Sequence, residues 1–201
     1  MKNMIENTLK RLVMMAVGAA IMSSLAWAQT TATQTVARPQ RPQLDLAITF
    51  TADRTNPVAG NNQWLTGGSI ELGADAWHGL GIAAKVTGVT TGQIGTQGVP
   101  LNLVLVTFGP RFRYTHKKLS FYGEGLLGEA NGFRSVFASP GGATNSANAL
   151  ALQVGGGVDL RLAKHLAWRA LEANWTRTQF SNGTSNVQNH LMLGSGLAVK
   201  F

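Results

Sequence analysis

The stretch that decides the fold is the last one in the chain, residues 189–201, with the sequence NHLMLGSGLAVKF. Its alternate positions carry the apolar side chains Leu191, Leu193, Leu197, Val199 and Phe201, interrupted only by Ser195. The positions between them are small or polar: His190, Met192, Gly194, Gly196, Ala198 and Lys200. Because side chains on a β-strand point alternately to two faces, the pattern predicts a strand with one apolar face. A final Phe suits a strand in lipid, since aromatic rings are favoured at the membrane–water boundary.

Seven earlier segments show the same period of two, so the sequence predicts eight strands. The expected strands are 44–53, 64–77, 80–87, 101–114, 119–129, 149–162, 166–178 and 189–201. In the seventh segment the alternation slips near residues 168–170, which indicates a β-bulge. The glycine run 155–157 in the sixth segment is also expected to be a bulge or a kink.

The connections between these segments alternate strictly between short and long. The short ones are 78–79, 115–118 and 163–165, and the long ones are 54–63, 88–100, 130–148 and 179–186. Outer-membrane barrels have tight periplasmic turns and long external loops in this order. The sequence therefore predicts an all-β fold, an eight-stranded antiparallel up-and-down transmembrane β-barrel over residues 44–201.

Two stretches resemble a known family. The last strand is similar to the C-terminal sorting signal of bacterial outer-membrane barrels. Residues 108–128 (FGPRFRYTHKKLSFYGEGLLG) resemble the small OmpA-like or OmpX-like barrels. The resemblance implies an outer-membrane location, a monomer, and insertion by the barrel-assembly machinery through the last strand. Larger OmpA proteins carry a peptidoglycan-binding domain after the barrel, and none is expected here because the chain ends at its last strand.

The beginning of the chain predicts export. Basic residues precede the apolar run 12–22, and Ala26-Trp27-Ala28 has the small-x-small pattern of a cleavage site. We therefore expect a signal peptide over residues 1–28, because the run is too short for a spanning helix. Residues 29–43 are polar, contain two prolines and show no periodicity, which predicts a disordered periplasmic leader.

Composition narrows the function classes. Only 13% of residues are charged, Gly occurs 24 times, and the absence of Cys excludes disulfides and thiolate metal sites. The net charge of +8 includes +2 from the predicted signal peptide, which leaves about +6. Since an exported chain does not meet nucleic acid, we expect the partners to be outer-membrane lipids, including lipopolysaccharide.

If the apolar face meets lipid, the charged residues of the other face must fill the barrel. Buried ions require partners, so we expect a lumen charge network centred on Arg111 and Arg113. Asp45 also points inward, and Glu172 and His190 on adjacent strands could pair inside. The expected network consists of Glu71, Asp75, Lys85, Arg111, Arg113, Glu124, Asp159, Arg161 and Glu172.

Aromatic residues cluster at the strand ends, which predicts two belts at the membrane boundaries. Phe180 is expected to join the belt on the long-loop side. The expected aromatic girdle consists of Trp64, Trp77, Tyr114, Phe121, Trp168, Trp175 and Phe201.

No motif points to catalysis. The chain lacks the Gly-x-Ser-x-Gly, Walker and His-Glu-x-x-His patterns, and its four histidines lack metal-ligand spacing, so neither cofactor nor metal is expected. His190 points inward and Ser195 outward, which is wrong for a nucleophile and its base. The sequence favours a non-enzymatic outer-membrane barrel with a plugged lumen and surface contacts through long external loops. The alternatives are a small pore or carrier for ions or small solutes, and a soluble periplasmic lipocalin-like ligand-binding barrel.

Overall fold

The computed structural model describes residues 43–58, 61–94, 98–139, 142–181 and 186–201. Each strand pairs antiparallel with its neighbour in sequence, and the last pairs with the first, which confirms the predicted eight-stranded closed barrel. The strands are β1 (Gln43–Val58), β2 (Asn61–Trp77), β3 (Leu80–Ile94), β4 (Val99–His116), β5 (Leu119–Ser139), β6 (Gly142–Arg161), β7 (Leu166–Thr178) and β8 (Gln188–Lys200). The predicted signal peptide, and the predicted leader up to residue 42, lie outside the described residues. No helix in the described ranges is long and apolar enough to cross a membrane.

Three regions expected to be long loops are mostly strand, so that prediction was wrong for 54–63, 88–100 and 130–148. The longest hairpin joins β5 and β6, and its register runs from Leu119–Leu160 to Ser139–Gly142. The alternation pattern did not reveal these strand extensions because neither of their faces carries a continuous apolar stripe. Of the four regions expected to be long loops, only 179–186 is not strand where the structure describes it.

The β2–β3 turn shows why the short connections are tight. His78 and Gly79 both have positive φ, 49° and 83°, as a two-residue type I′ hairpin turn requires. A Cβ on Gly79 would lie 2.0 Å from the carbonyl oxygen of Arg113. The Arg113 amide donates a hydrogen bond to the Gly79 carbonyl at 2.7 Å. Glycine therefore lets this turn close against β4.

The register of the barrel determines which side chains meet inside it. A path through paired residues leaves β1 at Gln43 and returns to β1 at Asp53, ten residues further along. The path runs through Asp75, Gly81, Arg111, Glu124, Gly155, Asn174 and Met192. Such a stagger tilts the strands by roughly 35–45° to the barrel axis. Because of this tilt, inward side chains at different positions along their strands come to the same level of the lumen.

The predicted bulge in β7 is confirmed. Val158 pairs with Leu171 whereas Asp159 pairs with Arg169, so Ala170 is the additional residue. The bulge turns Arg169 inward, and its carbonyl oxygen accepts a hydrogen bond from the Ser195 hydroxyl at 3.0 Å. Ser195 therefore satisfies a backbone group that the bulge removes from the ladder. This contact explains the one polar residue among the outward apolar side chains of β8 from Leu191 to Phe201.

The glycine run 155–157 is not a bulge, and the kink expected there as the other possibility stays a prediction. β6 pairs with β5 through it without a shift of register. A Cβ on Gly157 would lie 2.7 Å from the Tyr122 hydroxyl oxygen, and one on Gly155 would lie 2.0 Å from Asn174 Oδ1. These glycines make room for larger inward side chains on β5 and β7.

The two faces of the barrel differ as the alternation predicts. Outward Ile82 and Phe108 are 67% and 69% exposed, whereas inward Lys85 and Arg111 are 2% and 1% exposed. This distribution is the reverse of a soluble protein, in which large apolar side chains are buried and Lys and Arg are exposed.

Candidate functional site

Ten charged side chains fill the interior near the short turns, and we call them the ionic layer. They come from seven of the eight strands, and none is more than 9% exposed. The carboxylates are Asp45, Glu71, Asp75, Glu124, Asp159 and Glu172, and the cations are Lys85, Arg111, Arg113 and Arg169. Eight of the nine residues expected from the sequence are therefore brought together in this layer.

Arg111 makes the most contacts in the ionic layer. Its Nη1 lies 3.2 Å from Asp45 Oδ2 and 3.3 Å from Glu71 Oε1, and its Nε donates to Asp75 Oδ1 at 3.1 Å. Its Nη2 donates to Asp45 Oδ1 and Asp75 Oδ1. The guanidinium lies over Gly73, where a Cβ would come within 2.0 Å of both terminal nitrogens. One arginine thus joins three carboxylates from two neighbouring strands.

Arg113 extends the same layer toward β6. Its Nε donates to Asp75 Oδ2 at 2.9 Å, its Nη2 to Asp45 Oδ2 at 3.1 Å, and its Nη1 to Asp159 Oδ2 at 2.7 Å. Asp159 also accepts a bond from Arg169 Nε at 3.0 Å. Asp159 therefore links the arginine of β4 to the arginine of β7.

Arg169 occupies the position that the β-bulge creates. Its Nη1 lies 3.1 Å from Glu71 Oε1 and 2.9 Å from Glu172 Oε2. Its guanidinium carbon lies 4.4 Å from the ring centroid of Tyr122, and Arg113 approaches the same ring at 5.3 Å. The Tyr122 hydroxyl donates to Glu172 Oε2 at 2.9 Å. Tyr122 therefore contributes both a cation–π surface and a hydrogen bond to the ionic layer.

Lys85 holds the glutamates of the layer. Its Nζ lies 3.0 Å from Glu71 Oε2, 3.0 Å from Glu124 Oε1 and 2.6 Å from Glu172 Oε1. Glu172 also accepts a bond from Asn174 Nδ2 at 2.9 Å, whereas Glu124 Oε2 and Asn174 Oδ1 are buried without a hydrogen-bond partner. Six carboxylates against four cations leave a formal charge of −2 in this layer, or −1 when the adjoining buried Lys200 of β8 is counted, and Glu124 is the carboxylate with the fewest cation partners.

The sequence placed one cation wrongly and missed another. Arg161 was expected in the network, but its side chain is exposed because it lies at the last position of β6, beside the turn. Arg169 is fully buried, although strict alternation puts it on the same face as Leu171. The only sequence signal for the burial of Arg169 is the break in the alternation near residues 168–170. An added residue at that break reverses the facing of the β7 residues that precede it.

Part of the interior near the long hairpins is lined by apolar side chains, which the alternation pattern did not predict. We call this set the apolar layer, and Phe137 and Ala147 pack against it. Its members are Leu65, Val89, Leu101, Leu103, Leu105, Ala130, Ala149, Ala151, Phe180 and Met192. The expectation that Phe180 faces outward was wrong, because it is buried and its ring centroid lies 5.5 Å from that of Phe137. In β4 both faces are apolar at this level, so alternation could not distinguish them.

A chain of hydrogen bonds crosses the apolar layer. His190 Nδ1 lies 2.9 Å from Asp53 Oδ2, and its Nε2 lies 3.1 Å from the Thr178 hydroxyl oxygen. Thr178 donates to Gln188 Oε1 at 3.3 Å, and the Gln188 side chain bonds both backbone groups of Phe180 at 2.9 and 3.1 Å. The sequence-based pairing of His190 with Glu172 was therefore wrong. This chain ties the β7–β8 connection to β1.

The same chain has the order of a hydroxyl, an imidazole and a carboxylate, which is the order of a nucleophile, its base and an orienting group. However, Thr178 and Asp53 are fully buried and His190 is only 4% exposed. A substrate has no access to the Thr178 oxygen in this arrangement. The three residues therefore serve packing and loop attachment. Within the described ranges, no group of three or more His, Cys, Asp or Glu residues could hold a metal ion.

The outer face carries the aromatic residues expected there. Exposed rings lie at both ends of the strands, while the side chain of Trp77 lies outside what the structure describes. On the turn side the exposed rings are Tyr114, Phe121, Trp168 and Phe201, and toward the hairpin side they are Trp64 and Trp175. Between them the outer face is aliphatic, as at Ile48, Ile70 and Val154.

Comparisons with known proteins support the fold. Neither a protein-family model nor a curated protein sequence matches the chain. The crystal structure of Neisserial surface protein A is 16% identical, with a TM-score of 0.60 over 79% of this chain and 97% of that one. The crystal structure of Ail, the attachment invasion locus protein of Yersinia pestis, is 19% identical, with a TM-score of 0.53 over 79% of this chain and 99% of that one. The chain therefore has the fold of small eight-stranded outer-membrane β-barrels.

Proposed function

We propose that this protein is a non-enzymatic, monomeric outer-membrane β-barrel whose closed interior makes it a structural and surface-contact protein. The observation that carries this proposal is the filling of the interior at two levels. The ionic layer closes the turn side, and the apolar layer closes the hairpin side. An eight-stranded barrel is just wide enough for its own side chains, so two filled layers leave no continuous aqueous path.

The outer face supports a membrane location over a soluble one. A lipocalin-like barrel holds a ligand among inward apolar side chains and exposes charge, whereas here Arg111 and Arg169 are buried and Phe108 and Ile82 are exposed. A band of exposed aliphatic side chains with aromatic rings at its ends suits a bilayer. Every strand of the barrel wall is paired on both sides, so the wall itself needs no second copy.

A gel experiment and a conductance experiment together test the proposal. The purified protein, folded in detergent, is expected to migrate differently on SDS gels before and after boiling, because a closed ladder resists SDS until heated. Reconstituted in a planar bilayer, it is expected to give no steady conductance steps. Identical migration with and without boiling would contradict the barrel in solution, and steady steps would contradict the closed interior.

A small pore for ions is the second candidate, and one observation favours it. Some buried polar atoms have no hydrogen-bond partner among the described residues, among them Glu124 Oε2 in the ionic layer, Asn174 Oδ1 on β7 and Gln153 Nε2 on β6. Water molecules in the lumen would supply the missing hydrogen bonds, and a hydrated segment would shorten the dry region that an ion must cross. Regular single-channel steps that grow when Leu103→Ala and Phe180→Ala open the apolar layer would favour the pore.

We also propose that β8 is the strand that the barrel-assembly machinery recognises. Its outer face is apolar and exposed, from Leu191 and Leu197 to Phe201, which is 70% exposed at the end of the chain. Phe201→Ala is expected to reduce the amount of heat-modifiable protein in the outer-membrane fraction several-fold. Phe112→Ala, another exposed ring on the turn side, is the matched control. Equal losses in both variants would show that β8 has no special role.

A further inference from the structure

The charges of this protein are divided between the inside and the outside of the barrel. In the described part of the chain, Glu129 is the one exposed carboxylate, and the other acidic side chains are buried. The exposed cations are Arg54, Lys117, Lys118, Arg134, Arg161, Lys164 and Arg177. The outer surface is therefore basic because the interior has taken up the acids, and it has almost no anion of its own to neutralise it.

Two of these cations lie on the outer face where the apolar band ends. On β1, Phe50 and Ala52 lie below Arg54, and Asn56 lies above it. On β7, Arg177 follows Trp175. At the same level the other strands present uncharged polar side chains, among them Thr66, Thr90, Asn102, Asn131, Asn148 and Asn189. Apart from Arg134 on the β5–β6 hairpin, the positive charge on the hairpin side is thus carried by β1 and β7.

The register makes the two arginines part of one surface. Arg54 pairs with Trp64 on β2 and with Leu191 on β8, and Leu191 pairs in turn with Trp175 on β7. Arg177 pairs with Asn189, the neighbour of His190 on β8. Directly paired residues have Cβ atoms roughly 4.5–5.5 Å apart. We call Arg54, Trp64, Trp175 and Arg177 the Arg–Trp patch.

The one exposed acidic side chain lies outside this patch. Glu129 is on β5, which is opposite β1 and separated from β7 by β6 in the ring of eight strands. No ion pair involving Arg54 or Arg177 occurs among the described residues. Both guanidinium groups are therefore available to an external anion at the level where the apolar surface stops.

We propose that the Arg–Trp patch binds the phosphate group of an anionic membrane lipid on the hairpin side of the barrel. Guanidinium groups bind phosphate in a bidentate manner, and indole rings favour the headgroup level of a bilayer. A lipid fits better than a soluble anion because Leu191 and Trp175, which adjoin the arginines, offer surface to an acyl chain. This inference rests on the proposed membrane location and names the partner of the outer rim.

Tryptophan quenching tests the proposal directly. Trp27→Phe, Trp77→Phe and Trp168→Phe leave Trp64 and Trp175 as reporters, and heat-modifiable migration verifies that the barrel has folded. The protein is placed in bilayers of phosphatidylcholine and phosphatidylglycerol, with one lipid brominated at a time. The relative binding constant of phosphatidylglycerol at the reporters is expected to be about tenfold above that of phosphatidylcholine, because each arginine near an anionic surface adds a few-fold.

Charge-neutralising variants locate the effect. Arg54→Gln/Arg177→Gln is expected to bring the ratio to about one, since it removes both guanidinium groups and keeps the side-chain polarity. Lys117→Gln/Lys118→Gln in the β4–β5 turn removes the same charge elsewhere and is expected to leave the ratio unchanged. An unchanged ratio in the arginine variant, or an equal fall in the lysine variant, would overturn the proposal.

Two further outcomes would also overturn it. A ratio of one in the starting protein would mean that the patch does not distinguish anionic lipid. Loss of the preference on adding sucrose octasulfate, a soluble polyanion, would mean that the arginines bind a soluble sulfated ligand instead. In either case a heat-modifiable, non-conducting barrel would leave the proposed function standing, so the two failures are distinguishable.

Discussion

The turn-side and hairpin-side halves of the interior solve the same packing problem in different ways. Both are lined by inward residues of the same strands, but one contains ten ions and the other is built mainly from leucine and alanine. In the ionic layer each arginine binds at least three carboxylates, so removing one side chain leaves several charges without partners. In the apolar layer, truncating a side chain leaves a cavity but no unpaired charge. We therefore expect substitutions in the ionic layer to destabilise the barrel more than comparable substitutions in the apolar layer.

Arg111→Ala is expected to have the largest effect. It leaves Asp45, Asp75 and Glu71 short of a cation in a buried site, and breaking such a pair costs about 3–5 kcal/mol. The free energy of unfolding is measured by urea titration of the folded barrel in detergent, followed by tryptophan fluorescence. Arg161→Ala is the control, because that side chain is exposed and its removal is expected to change stability by less than about 0.5 kcal/mol. Equal free energies of unfolding for the two variants would show that Arg111 does not stabilise the ionic layer.

His190→Leu tests the contribution of the buried His190–Asp53 pair, which lies on the hairpin side beside the apolar layer. It leaves the buried Asp53 carboxylate without its partner, so a loss of about 3 kcal/mol is expected in the same titration. Asp53→Leu/His190→Leu is expected to recover most of that loss, because apolar residues can replace a buried pair in apolar surroundings. If the double variant is as unstable as the single one, the hairpin side depends on this pair for more than packing.

Substituting two glutamates that bind the same lysine is expected to change the free energy of unfolding in opposite directions. Glu172→Gln weakens bonds from Lys85, Arg169 and Tyr122, and a loss of about 2 kcal/mol is expected. Glu124→Gln keeps the shape and removes a negative charge from a buried region in which carboxylates outnumber cations, so stability is expected to rise by up to about 1 kcal/mol. Parallel unfolding titrations decide the matter, and a loss in both variants would contradict the charge count.

Ser195→Ala is expected to have the smallest effect, a loss of about 1 kcal/mol. It removes the donor to the Arg169 carbonyl at the bulge and the acceptor of the Trp168 indole N–H, which lies 3.2 Å from the Ser195 oxygen. Ser195→Thr retains the hydroxyl and is expected to recover part of the loss. A neutral Ser195→Ala would mean that the bulge carbonyl finds another donor.

The predictable part of the fold follows from one local property of strands. Alternation is decided by each residue's neighbours in the chain, so the inward facing of Lys85, Arg111 and Glu172 could be read directly. The same rule failed at Arg169, because a bulge reverses the facing of every residue before it, and at Arg161, because facing does not say where the barrel ends. It did not single out Leu103 and Leu105 as interior residues, since both faces of β4 are apolar there.

The sequence by itself determined the number of strands, the positions of the three short turns, and the inward facing of most of the charged residues. Only the tertiary structure decided that Arg111 meets Asp45, which is 66 positions away, and that His190 meets Asp53 rather than Glu172. The reason is geometric. A stagger of ten residues around the closed barrel brings together side chains whose separation along the chain carries no trace of their contact, and closure is a property of all eight strands at once.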